Sequence, residues 1–179
     1  MAVKKVLRLG NPLLRQKSLT IDESEVKTKD FKKLIKDMFE TMRFENGIGL
    51  AAPQIGILKR IVIVGIEEEN PRYPDAPKIE EHILINPIIT PLAEPEGGYW
   101  EGCLSVPGMR GFVERPKKIK LEYYDEKWNY NNKIIEGFPA VVYQHECDHL
   151  EGVLYVDRLK SPKLFGYTDE FEIKEKSLD

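Results

Sequence analysis

The stretch AVVYQHECDHLEGVLY, Ala140–Tyr155, decides how this chain is read. Apolar Val141, Val142, Leu150 and Leu154 surround His145 and His149, so the stretch is expected to be a helix with apolar residues on most sides, hence buried. Each residue advances about 100° around a helix, which puts the two imidazoles about 40° apart on one face, where both reach one ion. Glu146 stands about 100° from His145, close enough to meet a water on that ion without being a ligand. Buried polar residues demand partners. H-E-x-x-H supplies only two ligands, whereas a catalytic metal site usually has three protein ligands and one open position.

The third ligand has several candidates. One zinc-protease pattern continues to a glycine and a third histidine; Gly152 fits, but Tyr155 stands at the last place. Another pattern takes a glutamate from a later helix. Glu170 and Glu172 lie at a suitable distance, in a charged tail without a convincing helical pattern. His82 opens a strand behind an acidic loop and reads as a surface residue. Cys147 is about 200° around the helix from His145 and reads as a small buried filler. Cys103 remains, in WEGCLSVPG, Trp100–Gly108, between Gly102 and a turn-forming Pro-Gly. Gly102 lets backbone or ligand approach closely. A lone cysteine is usually a buried hydrophobe; what raises Cys103 is a helix still lacking a ligand and the weakness of its rivals.

Outward from this helix the pattern changes. Asp30–Asn46 places Phe31, Leu34, Ile35, Met38, Phe39 and Met42 at steps of three and four, an amphipathic helix stopped by Gly47. NPLLRQKS, Asn11–Ser18, reads as a short helix. RIVIVGI (Arg60–Ile66) and HILINPIIT (His82–Thr90) are β-branched strands. KIKLEYYDEKWN (Lys118–Asn129) alternates, and a turn at NYNN leads to KIIEGF, which reads as a hairpin. Residues 67–81, rich in proline and acids, read as an exposed, mobile loop. Residues from Lys160 read as polar and loosely attached, giving a catalytic domain over 1–165 and a polar tail over 166–179. The fold class expected is α+β, mostly antiparallel sheets packed around a central metal-binding helix.

Composition narrows the function classes. The 179 residues are 41% hydrophobic and carry a formal net charge of −3, which suits one domain and builds no basic field for sequence-specific nucleic-acid binding. No stretch approaches a membrane span. Two cysteines make no disulfide framework, and the N-terminal residues lack a signal-like apolar run, so a soluble cytoplasmic protein is expected.

A third stretch, GIGLAAPQIG, Gly47–Gly56, carries the polar Gln54 on apolar ground. Gln54 reads either as a hydrogen-bonded structural residue or as a donor to a substrate oxygen. The stretch lacks the lysine of a P-loop. Together, GIGLAAPQ, EGCLSVP and QHECDHLEG, in this order, resemble the three signature motifs of peptide deformylases, and the likeness extends from VLRLGNPLLR to about Leu159. The resemblance implies hydrolysis of the formyl group from the N-terminal formyl-methionine of new polypeptides, with nascent chains and the ribosome as partners. It implies Cys103, His145 and His149 as ligands of one divalent metal ion per chain. That ion would be Fe²⁺ natively, with Zn²⁺, Ni²⁺ or Co²⁺ also suited to the donors. Glu146 would be general base and acid, with Gln54 and the Leu104 N–H stabilising the oxyanion. Gly49 and Gly102 would bind the peptide backbone. Ile48, Phe138, Val141 and Val142 would line a methionine pocket with Arg110 at its rim, and Arg115 would pair with Asp148. The runner-up is an HExxH zinc peptidase needing Glu170; a structural metal or peptide-binding module is a third reading.

Overall fold

The computed structural model describes residues 2–66, 70–73 and 76–171. In chain order its elements are α1 (Glu23–Val26), α2 (Lys29–Phe44), β1 (Gly49–Ala51), β2 (Ile61–Ile66), β3 (Ile79–Pro91), β4 (Tyr99–Cys103), β5 (Val106–Val113), β6 (Lys118–Tyr124), β7 (Tyr130–Glu136), α3 (Phe138–Leu150) and β8 (Phe165–Tyr167). Asn11–Ser18 contains a single 3-10 turn, Pro12–Arg15. The strands form two antiparallel sheets, β1-β2-β3-β6-β7 and β4-β5-β8. The α+β expectation therefore holds.

The larger sheet is buried on both sides where the two long helices cover it. All six residues of β2 are buried. Alternate residues of a strand face opposite ways. Ile61 and Ile63 join the cluster around Met38, Phe39 and Met42 of α2, while Val62 and Val64 join the one around Ala140, Val142 and Leu150 of α3. That is why RIVIVGI is a continuous apolar run and not an alternating one. α2 starts where the Thr28 hydroxyl accepts the Phe31 N–H.

α3 follows Gly137, at φ 70, and Pro139 sits in its first turn, where its missing N–H costs nothing. It stops at Leu150 and does not run on to Tyr155 as expected. Gly152, at φ 72, turns the chain there, and a Cβ on it would lie 2.6 Å from the Arg15 carbonyl. Leu154 had prolonged the apolar periodicity beyond the true end.

Three further expectations need correction. The hairpin turn falls at Asp125–Asn129, with Asp125 accepting from the Lys127 and Asn129 N–H groups, and Tyr130 already belongs to β7. Pro107-Gly108 is no turn but lies within β5. The segment from Phe165 is attached: β8 pairs with Met109, Arg110 and Gly111 of β5, so the division expected at 165/166 falls inside a strand. Residues 172–179, including the candidate Glu172, and residues 67–69 and 74–75 of the acidic loop lie outside the described residues.

Candidate active site

Four elements meet beneath a cleft. α3 supplies His145, Glu146 and His149, all buried; β4 supplies Cys103; β1 and the 3-10 turn after it, Ala52–Ile55, supply Gly49 and Gln54. One ligand atom from each of Cys103, His145 and His149 lies within 4.8 Å of the others. The Cys103 sulfur is 3.3 Å from His149 Nε2. This is the one such His/Cys/Asp/Glu group among the described residues. Glu170 is exposed in a 3-10 turn, Thr168–Glu170, and does not join it. Two imidazoles and a thiol converging without a fourth protein donor fit an open metal site better than a closed structural one.

The neighbours of the triad are as specific as the triad. Gln54 Oε1 accepts the Ala51 N–H at 2.8 Å, which fixes the amide so that Nε2 faces the Cys103 sulfur at 3.5 Å and the Ser105 hydroxyl at 3.2 Å. The Ser105 N–H also points at the Cys103 sulfur, 3.4 Å away. Glu146 leans against Gly49, where any Cβ would stand 2.6 Å from the carboxylate. One Glu146 oxygen, Oε2, is buried without a hydrogen-bond partner among the described residues, as is His149 Nδ1. Burial raises the Glu146 pKa to about 7, against the pull of His145. A carboxyl poised there suits proton transfer at neutral pH. Burial pushes the His149 pKa well down, so its imidazole is neutral. Burial also opposes charge on His145, but the Cys103 sulfur and Glu101 outweigh it and hold its pKa up.

Glu101 was not singled out from the sequence. Its carboxylate faces His145 Nδ1 at 2.7 Å and takes a two-pronged hydrogen bond from Arg115, one arm at 3.0 Å. Arg115, 3% exposed, also donates to Asp148 at 2.7 Å, and Asp148 in turn is held by Arg158. The expected Arg115–Asp148 pair is therefore one link of a longer chain, Arg158–Asp148–Arg115–Glu101–His145. Burial alone would raise the Glu101 pKa; Arg115 and His145 bring it down to about 2. A signal was present in the sequence: Glu101 is two residues before Cys103, hence on the same face of β4.

Beside the ligand group lies a pocket of about 360 Å³, part of it open to solvent. Ile48, Phe138, Val141 and Val142 line it, joined by Gly102, expected instead along the peptide backbone, and by Tyr73, Tyr99 and Trp100, which the sequence did not reveal. A smaller adjoining space of about 240 Å³ is bounded by Gly49, Gln54, Leu104 and Arg72, and both share His145 and Glu146. Arg110 bounds neither; it donates to the Arg72 carbonyl at 2.7 Å and sits over the Tyr73 ring at 4.9 Å. One more position differs from expectation. His82 is half-buried beneath α3, with Nδ1 2.6 Å from the Tyr143 hydroxyl, and is no surface residue. Tyr155, rejected as a ligand, lays its ring against His145 at a centroid distance of 6.0 Å. Cys147 packs away from the ligands, against the cluster around Val142.

The polypeptide deformylase family model matches residues 3–164. A peptide deformylase of Leptospira biflexa is 62% identical over 179 residues, the whole of both chains. Peptide deformylase 1 of Prochlorococcus marinus is 48% identical over 96% of this chain and 88% of its own length. A crystal structure of class I type b peptide deformylase from Acinetobacter baumannii, with Met-Ala-Ser bound, superposes with a TM-score of 0.82 at 38% identity, covering 88% of this chain and 99% of that one.

Proposed function

This chain belongs to the peptide deformylase family, and we propose that the buried group on α3 and β4 is its catalytic centre. The activity is hydrolysis of the formyl group from the N-terminal formyl-methionine of new polypeptides. One metal ion serves it, held by Cys103, His145 and His149. The observation that carries the assignment of residues is the convergence of those three donor atoms within 4.8 Å beside a buried glutamate and an apolar pocket.

When bound, the ion supplies a Lewis acid that brings the pKa of a water towards ~7. The remaining work falls to the chain. Glu146, with its pKa near the working pH, takes a proton from the water attacking the formyl carbon and delivers it to the departing amine. The Gln54 amide, aimed by its bond to Ala51, and the Leu104 N–H donate to the developing oxyanion. Ile48, Phe138, Val141 and Val142 enclose the methionine side chain. Gly49 and Gly102 let the peptide backbone pass close to Glu146 and β4, and Arg110 braces the rim through Arg72 and Tyr73. Glu101, clamped by Arg115, fixes the ring orientation of His145.

We assign Fe²⁺ as the native ion on the strength of the motif resemblance; the donor set also suits Zn²⁺, Ni²⁺ and Co²⁺. Anaerobic metal analysis, and loss of activity in air as iron and thiolate oxidise, test the iron assignment. We place the enzyme in the cytoplasm, meeting nascent chains at the ribosome; no helix among the described residues is long and apolar enough to cross a membrane. The assignment of ligands is tested by comparing Cys103→Ser with Glu170→Gln. The first should lose metal and turnover and the second neither; the reverse result would favour a peptidase with a glutamate ligand.

A further inference from the structure

In the smaller sheet Trp100 pairs with Phe112, Gly102 with Arg110, and Arg110 with Gly166. Directly opposed residues share a face of a sheet. This face therefore carries Trp100 and Gly102, two walls of the pocket, and ends on Gly166 of β8. Gly166 has no side chain, and the space above it is taken by Phe171: a Cβ there would stand 2.6 Å from the Phe171 ring. From that seat the ring meets Trp100, centroid to centroid 4.8 Å, with planes at 48°. Phe112 meets the same indole at 5.8 Å, nearly edge-on. Trp100 is only half-buried, and these two rings pack against its indole. Phe171 lies beyond residues 3–164, the span matched by the family model.

We propose that Phe171 is a positioning residue for substrate binding, clamping Trp100 as a wall of the pocket, so that the segment after β8 helps set how tightly a formylated N-terminus is held. The proposal rests on the deformylase reading of that pocket. An indole released on one side samples other rotamers, and the wall it forms loosens. Aromatic pairs of this geometry correspond to a ~3- to 10-fold change in affinity. The loss should fall on KM, because Glu146 and the ligand group are untouched.

The test uses the full-length, metal-loaded chain and formyl-Met-Ala-Ser. Phe171→Ala should raise KM ~3- to 10-fold with kcat within about twofold, and Phe171→Tyr should restore it. Gly166→Ala attacks the contact from the other side. Its φ needs no glycine, yet its new methyl must displace the Phe171 ring, so it should reproduce the KM change. The chain has two tryptophans. In a Trp128→Phe background Trp100 emission should shift to longer wavelength when Phe171 is removed. Unchanged KM in Phe171→Ala, or unmoved Trp100 emission, overturns the proposal. No turnover by the unaltered chain would overturn the functional reading and this proposal with it; the emission shift would still report the contact.

Discussion

Two helices cover opposite faces of the same sheet and are held there by different physics. α2 buries one apolar stripe, with Met38 0% exposed, and turns its lysines to water. α3 is buried nearly all round yet carries His145, Glu146 and His149 inside. For α2 the hydrophobic effect suffices, and its side chains are interchangeable within limits of shape. For α3 burial works against its own charged groups, and only partners make it tolerable. Those partners are Glu101, on the smaller sheet that also brings Cys103, and Arg115, just after the end of β5. The contacts that secure the metal helix thus also register it against the cysteine. Substitutions on the two helices should therefore differ in kind: on α2 they cost stability alone, around α3 they cost stability and metal together.

The largest effect on stability should come from Arg115→Met. It leaves Glu101 buried without its cation, while Asp148 keeps Arg158, a loss of about 3–5 kcal/mol. Because Glu101 then no longer steadies His145, metal affinity measured by chelator competition should fall about 10- to 100-fold. Met38→Ala is the counterpart on α2. It should cost about 2–5 kcal/mol in urea unfolding while metal affinity and turnover per folded molecule stay at wild-type values. Equal loss of metal in both variants would erase the distinction between the helices. Gln54→Ala should leave stability and metal nearly intact but raise the barrier by about 3–4 kcal/mol, read as kcat on a formyl peptide.

The smallest effect concerns α2's one buried charge. Asp37 receives Lys33, Lys4 and the Ala2 N–H. The Lys33 hydrogen bond, against burial, brings its pKa down to about 2. A carboxyl with a lower pKa folded than unfolded stabilises fully above its unfolded pKa, and that contribution fades as the pH falls towards 2. The stability gap between wild type and Asp37→Asn should therefore narrow steadily below about pH 4. A gap unchanged between pH 5 and 2.5 would contradict the assignment.

What was legible in the sequence follows from the same contrast. His145, Glu146 and His149 could be read because a metal site needs those residue types at helical spacing, and α2 because its stripe repeats at 3.6 residues. Cys103 was reached by elimination, and its motif mates added the oxyanion and pocket residues. The smaller sheet was not legible: β4 and β5 hold three glycines and a proline and lack clean alternation. Tyr73, Trp100 and Glu101 owe their roles to pairings that only the folded chain creates. The end of α3 was overrun because Leu154 kept the period while the backbone had already turned at Gly152.

The account turns on Glu146 as the group that moves the proton beside the ion held by Cys103, His145 and His149. Metal stoichiometry and formyl-Met-Ala-Ser turnover in Glu146→Gln test it together. The prediction is one metal ion per chain, a fold unchanged by circular dichroism, and turnover reduced about 10²- to 10⁴-fold. Turnover near the wild-type rate in that metal-loaded variant would contradict it.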